Sequence, residues 1–375
     1  MAAEAYSIDD LYSTPPFSLA KEEKQAMLLQ KLHELHRHHA QKPDYANLIS
    51  ALGLDAESTF ESVADFPFLP VRLFKTEELK SIEKEEIIKV LTSSGTTGQA
   101  VSRIYLDAFT AKAQTKTLNA IVQSYIGPKR LPMLIADTAD VINNRNSFSA
   151  RGAGILGFMN FGADHCYMLD SQMKLNTELL LPWLAKHSGE SLLIFGFTFM
   201  VWQHVVKEIK NSGLNLDLSK ATLIHSGGWK KLEAEKVSNE VFKAELKAIT
   251  GLNRVFNFYG MVEQVGSIFM ECENGYLHTP IYADVLVRNP LDWSALPNGT
   301  SGVIEVVSVL PYSYPGHVLL TEDEGIIHGE DTCTCGRKGK YFSILGRLPQ
   351  AEIRGCSDTY AQDHNQSQTA KIKAA

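Results

Sequence analysis

The sequence predicts an α/β protein: a large domain with a mixed or parallel sheet, a β-rich subdomain after it, and a short C-terminal segment. Three observations lead there. Short apolar runs at Ile87 to Leu91, Leu131 to Ala136, Ser191 to Phe195, Thr222 to His225 and Arg254 to Phe258 have the length and composition of buried strands, with helical patterns between them. Between the last two runs, Lys230 to Thr250 puts Val237, Val241, Ala244 and Ala248 on one helix face, so the order reads strand, helix, strand. From Tyr282 to Leu320 the pattern changes to alternating strands with Pro and Gly turns and no long helix.

Along the chain, residues 21–40 read as an amphipathic helix, with Met27, Leu28, Leu32 and Leu35 near helical spacing. The same segment carries His33, His36, His38 and His39, which read as a solvated face because no acid or thiol stands at a matching metal-ligand spacing. Phe66 to Pro70 has two prolines among aromatics and must run extended. The expected organisation is one domain over 1–345, made of a helical part (1–86), an α/β core (87–280) and the β-rich subdomain (281–345), with 346–375 as a short terminal segment. Its polar end, from Gln362, reads as disordered.

Composition narrows the class. Of 375 residues, 44% are hydrophobic and 21% charged, which suits a globular fold. A formal charge of −7 without a Lys/Arg block argues against nucleic-acid binding. No apolar run approaches the ~20 residues of a membrane span, and the first ten residues lack the basic start of a secretory signal. Five cysteines in such a chain point to reduced thiols in the cytoplasm. Cys166 stands alone and reads as packing.

The chemistry begins at Ser93-Ser94-Gly95-Thr96-Thr97-Gly98. Two glycines allow a tight backbone turn, and four hydroxyls add donors, so the loop suits phosphate oxygens without a fixed charge. It is not a Walker A loop, since Gln99 stands where a lysine would be needed. By itself it could equally be a surface turn. The segment resembles the signature loop of the adenylate-forming superfamily, whose members activate carboxylic acids with ATP and Mg²⁺. Three further segments match that family in order. Tyr259-Gly260-Met261-Val262-Glu263 resembles a segment whose tyrosine packs on adenine and whose glutamate helps hold Mg²⁺; Thr321-Glu322-Asp323 one whose aspartate binds the ribose hydroxyls; Gly346-Arg347 the hinge whose arginine reaches the nucleotide. These residue types suit those roles: an aromatic face for a purine, a hard carboxylate for Mg²⁺, a second acid for two hydroxyls. His225-Ser226-Gly227-Gly228 ends another strand and is expected beside the adenine, although a strand-to-helix turn alone would explain it.

Cys272, His278, Cys333 and Cys335 form C-x5-H followed by C-x-C, a donor set fit for a closed structural Zn²⁺ site; the plain alternative is three reduced thiols and an unrelated histidine. The chain ends 28 residues after Arg347, short of the C-terminal domain that CoA ligases carry, and Arg354-Gly355-Cys356-Ser357-Asp358 stands there instead. Over nearly its whole length, through Phe66 to Lys75, Arg151 to Gly162, Val262 to Glu273, Tyr312 to Gly325 and Glu352 to Tyr360, the sequence resembles the acyl-protein synthetases of bacterial bioluminescence. That resemblance implies activation of a long-chain fatty acid as acyl-AMP and transfer of the acyl group to the cysteine matched by Cys356. It also implies partners, a reductase that makes the aldehyde for luciferase and an acyltransferase. The alternative left open is an acyl- or aryl-CoA ligase of the phenylacetate-CoA ligase type.

Overall fold

The structure, a computed structural model, describes residues 7–93, 100–143, 150–229 and 235–348. Along the chain its strands are β1 (Leu69–Pro70), β2 (Lys89–Thr92), β3 (Arg103–Leu106), β4 (Leu131–Thr138), β5 (Gly162–Leu169), β6 (Leu192–Phe197) and β7 (Ala221–Ser226). There follow β8 (Arg254–Tyr259), β9 (Phe269–Glu271), β10 (Leu277–His278), β11 (Ala283–Arg288), β12 (Ser301–Ser308), β13 (Val318–Glu330) and β14 (Lys340–Arg347). The chain forms two compact units. One holds the described residues up to Ser93, then 100–125 and 259–348; the other holds those within 126–258.

In the first unit the strands run β11-β12-β13-β14-β10-β9, antiparallel throughout. The extended Phe66–Pro70 segment supplies β1, which pairs parallel with the first residues of β13, where β14 does not reach. Phe269, Val285, Ile304, Val306, Leu319 and Phe342 make the centre of the core. The helix Lys21–Ala40 forms where expected and buries Met27, Leu28, Leu32 and Leu35, each such side chain worth about 1.5–3 kcal/mol when withdrawn from water.

Its histidines overturn the expectation of a solvated face. His36 and His39 are fully buried, and His33 and His38 are half-buried. His39 Nδ1 lies 2.7 Å from Ser81 Oγ, and its ring stacks on His317 at 4.9 Å between centroids. His36 Nδ1 and His317 Nε2 meet the Tyr45 hydroxyl at 3.1 and 3.3 Å. The partners come from segments remote in sequence, and a single helix pattern carries no sign of them.

Two other expectations change here. The run Ile87 to Leu91 is not a buried strand of the main sheet. Its β2 pairs only with β3, as an antiparallel hairpin with exposed residues. Apolar composition alone does not say which sheet a short strand joins.

In the second unit β8-β7-β6-β4-β5 is a parallel sheet, as the strand-helix-strand alternation implied. The helix Asn239–Thr250 begins at a Ser238 cap and ends at Gly251, φ +72°. It buries Phe242, Leu246 and Thr250, while Val241 is 44% exposed and Ala244 and Ala248 are also exposed. The sequence reading therefore chose the opposite face: Phe242 and Leu246 at i and i+4 bury more apolar surface than two alanines and two valines. Cys166 is buried on β5, in keeping with a packing role. Among the described residues no helix is long and apolar enough to cross a membrane.

Candidate active site

The first unit brings three of the singled-out residues together. Asp323 on β13 and Arg347 at the end of β14 are direct register partners, so their side chains leave the same face of the antiparallel pair. Arg347 Nε lies 3.4 Å from Asp323 Oδ1, and the Tyr259 hydroxyl donates to Asp323 Oδ2 at 2.7 Å. Burial, and then the neighbouring Asp323 carboxylate, hold the Tyr259 phenol well above its ordinary pKa, so it stays a donor. Asp323 is further fixed by its N–H donating to Thr321 Oγ1 at 3.2 Å, while that hydroxyl donates to the Ile304 carbonyl at 2.7 Å. Glu322, between them, points to Arg72, with 2.7 Å from Arg72 Nε.

Glu263 sits on a 3₁₀ turn, Val262–Gln264, and is 6% exposed. Burial pushes its carboxyl up, opposed by the nearby Ser102 hydroxyl. A buried acid that resists ionisation gains from a cation beside it, so the residue fits the Mg²⁺ role its sequence position suggested. Sequence reasoning missed what holds this turn. Gln264 Nε2 donates to the Gly316 carbonyl at 2.8 Å and the Val306 carbonyl at 3.2 Å. Gly266 has φ +93°, and a Cβ there would lie 2.7 Å from the Gln114 backbone. No chemical motif marks Gln114 or Gln264; only the conspicuous burial of a polar amide identifies them, and burial is invisible in a sequence.

Ser93 and Ser102 close the neck of the Ser/Thr/Gly loop. Ser93 N–H donates to the Ser102 carbonyl at 3.1 Å, and Ser102 N–H donates to Ser93 Oγ at 2.9 Å. Ser94, Gly95, Thr96, Thr97 and Gly98 lie outside the described residues, as does the candidate acceptor Cys356 with the whole polar end after Leu348.

The second unit carries its own polar cluster at the carboxyl ends of its strands. Thr198 Oγ1 stands 2.9 Å from His225 Nδ1 and donates to the Ser226 carbonyl at 3.2 Å. Burial drives the His225 imidazole down to about 3, so it is neutral at physiological pH. Gly227 has φ +87°, and a Cβ there would meet the Phe197 ring at 3.3 Å; only glycine suits both constraints. Arg151 Nε lies 3.1 Å from Asp137 Oδ2, both buried, and burial pushes Asp137 up to about 6 against the pull of Arg151. Asp137 is on β4, the strand where the sheet order reverses: its successor β5 lies on one side and β6 on the other. Open parallel sheets bind ligands at such a switch point.

A family model described as "Acyl-protein synthetase, LuxE" matches residues 2–365. The chain belongs to the acyl-protein synthetase family. That family is one of ligases, and this member is an enzyme of the same class. Two curated relatives share its length. It is 22% identical over 374 residues to a long-chain-fatty-acid–luciferin-component ligase of Vibrio harveyi, covering 96% of this chain and 94% of the relative. It is also 22% identical over 362 residues to the ligase of the same name from Aliivibrio fischeri, covering 93% and 92%. Among solved structures it resembles an open conformation of 2-hydroxyisobutyryl-CoA ligase, with a TM-score of 0.68 and 17% identity over 91% of this chain and 79% of that one. The fold is thus that of adenylate-forming ligases, as the sequence predicted.

The Cys272, His278, Cys333 and Cys335 side chains, far apart in sequence, also converge. Their ligand atoms all lie within 4.8 Å of one another.

Proposed function

We propose that this member of the family uses ATP to activate a long-chain fatty acid as acyl-AMP and then takes the acyl group onto Cys356 as a thioester. The observation that carries the reading is the Tyr259–Asp323–Arg347 constellation, in which a phenol and a guanidinium converge on one carboxylate. Asp323 offers its remaining lone pairs to two ribose hydroxyls, Tyr259 its ring face to adenine, and Arg347 its guanidinium charge to phosphate. Glu263 would hold Mg²⁺, which when bound supplies positive charge to the phosphate oxygens.

In the first half reaction a carboxylate oxygen attacks the α-phosphorus, and the bond to the β-phosphate oxygen breaks, releasing pyrophosphate. The backbone and hydroxyl donors that Ser93 to Gly98 offer would take up charge on the phosphates, and Gly227 keeps the nucleotide-binding role its sequence position suggested. In the second, the Cys356 thiolate attacks the acyl carbonyl, forms the thioester and expels AMP. Reversal of strand order between β4 and β6, bordered by Asp137, Arg151 and Phe197, supports an acyl site at that end of the second unit. The acyl group then passes to a reductase that makes the aldehyde for luciferase, in an assembly that includes an acyltransferase. A thiol acceptor needs a reducing compartment, and we place the reaction in the cytoplasm. No step of this chemistry uses the Cys272, His278, Cys333 and Cys335 cluster.

Intact-protein mass after incubation with ATP, Mg²⁺ and saturated fatty acids of increasing chain length tests the reading. The wild type should gain one acyl mass without CoA, in a hydroxylamine-sensitive bond. Cys356→Ala should lose the adduct yet keep pyrophosphate exchange. An absolute requirement for CoA would overturn the acceptor role and favour a CoA ligase.

A further inference from the structure

Cys272 and Cys333 open two turns of the same construction. Cys272 accepts a hydrogen bond at its carbonyl from Gly275 N–H at 3.0 Å, and Cys333 does so from Gly336 N–H at 3.0 Å. Gly275 has φ +84° and Gly336 φ +82°, so both turns end in a left-handed residue that glycine adopts without strain. The first turn joins β9 to β10, and the second lies in the connection from β13 to β14. His278 belongs to β10, in register with Tyr341 on β14, and Cys335 completes the set.

The spacing of the donor atoms discriminates between occupants. Cys272 Sγ lies 3.9 Å from Cys333 Sγ, and Cys335 Sγ lies 3.4 Å from His278 Nε2. A disulfide needs about 2.05 Å between sulfurs. The edges of a zinc tetrahedron, from bonds of about 2.3 Å to sulfur and 2.0–2.1 Å to nitrogen, are about 3.8 Å for S···S and 3.6 Å for S···N. The observed separations fall near the second pair of values. Donors stand beside two of the sulfurs: Asn274 Nδ2 donates to Cys333 Sγ at 3.5 Å, and the Arg337 guanidinium interacts with Cys335. Arg337 also forms a two-pronged pair with Glu273, bridging the same two turns. Cys272, His278 and Cys333 are buried, while Cys335 is half-buried and borders an open cavity of about 420 Å³ shared with Phe17 and Arg337.

We infer that these four residues bind one zinc ion and that the ion clamps the root of β14, the strand whose far end carries Arg347. The metal ties the β9–β10 turn to the β13–β14 connection. It thereby sets the register in which Arg347 meets Asp323. The binding claim stands on donor geometry; the clamp claim also rests on the nucleotide role given to Arg347. Cys335, at the cavity wall, is the ligand through which metal exchanges.

The test uses full-length wild type produced with zinc in the medium and purified under reducing conditions without chelator. Elemental analysis should find about one zinc per chain, and a thiol-blocking mercurial should release it to a colorimetric chelator. Cys335→Ser, and separately His278→Gln, should retain well under half of the zinc and melt at lower temperature. Where a variant does not fold, titrating wild type with a strong chelator and following melting supplies the same comparison. Zinc loss should raise the KM for ATP about five-fold, the loss expected when one charged contact is loosened by ~1 kcal/mol, and zinc re-addition should reverse it. Metal-free wild type, another metal in the site, or a mass two daltons low from a disulfide would overturn the site. A bound zinc whose removal leaves the KM unchanged would overturn the clamp. Zinc-loaded wild type without pyrophosphate exchange would instead overturn the proposed reaction and leave the metal site standing.

Discussion

Asp323 and Arg347 face each other across β13 and β14, with Arg347 Nε 3.4 Å from Asp323 Oδ1. Twenty-three residues of chain separate them, and a single antiparallel register makes them partners. Arg347 is 45% exposed at its side chain and Asp323 14%, so solvent screens the pair and its contribution to stability is small.

Substitutions here should therefore act on nucleotide use more than on folding. Asp323→Ala should raise the KM for ATP in pyrophosphate exchange by ten-fold or more, on the order of 1.4 kcal/mol or above, with a melting temperature near wild type. Tyr259→Phe keeps the ring and removes the hydrogen bond to the carboxylate, so its effect should be smaller, about three- to ten-fold. Arg347→Lys should not restore Arg347→Ala fully, because a point charge lacks the planar fork. A large fall in melting temperature for Asp323→Ala would show that the pair is structural instead.

Glu263→Gln preserves shape and removes the charge. It should lower exchange about 100-fold and raise the Mg²⁺ concentration needed for half-maximal rate. An unchanged Mg²⁺ requirement would remove Glu263 from metal binding.

The buried histidines predict acid sensitivity. Burial holds His36 below its ordinary 6.5, His39 well below, and His317 down to about 3. Between those folded values and 6.5 the unfolded chain binds more protons than the native one, so stability is complete above 6.5 and is lost as pH falls toward 3. Each such group contributes up to about 1.4 kcal/mol per pH unit within its window. Chemical unfolding between pH 7 and 5 should show this slope, and His317→Gln should reduce it by about one proton. A flat profile would mean that these imidazoles are already protonated in the fold.

Gly227→Ala should cost about 1–2 kcal/mol for the left-handed backbone alone, plus displacement of the Phe197 ring. Gly213→Ala, at φ +66° with nothing within 4 Å of the added Cβ, isolates the backbone part. Exchange activity should fall in Gly227→Ala and not in Gly213→Ala. Equal loss in both would leave the Phe197 contact without a role.

The order of strands and helices, the helix Lys21–Ala40 and the parallel arrangement of the second unit were legible because period and run length report local burial. Tyr259, Asp323 and Arg347 were named from the resemblance of their segments to a known family, and that they meet is a finding of the structure. Three features were read wrongly from the same signals. The helix Asn239–Thr250 turns Phe242 and Leu246 inward, β2 leaves the main sheet for a hairpin, and His36 and His39 are enclosed. Each depends on what another segment offers as a neighbour, which a local pattern does not contain.

By itself, then, the sequence determined which groups are available: a Ser/Thr/Gly loop, a tyrosine and two acids in a set order, an arginine after them, three thiols with one imidazole. Only the tertiary structure decided which of them meet. Pairing of β13 with β14 sets Asp323 against Arg347, and two glycine-closed turns on separate connections gather Cys272, His278, Cys333 and Cys335 within 4.8 Å. Residue type follows from covalent chemistry, whereas register and convergence follow from burying apolar surface across the whole unit, a balance no single segment strikes alone.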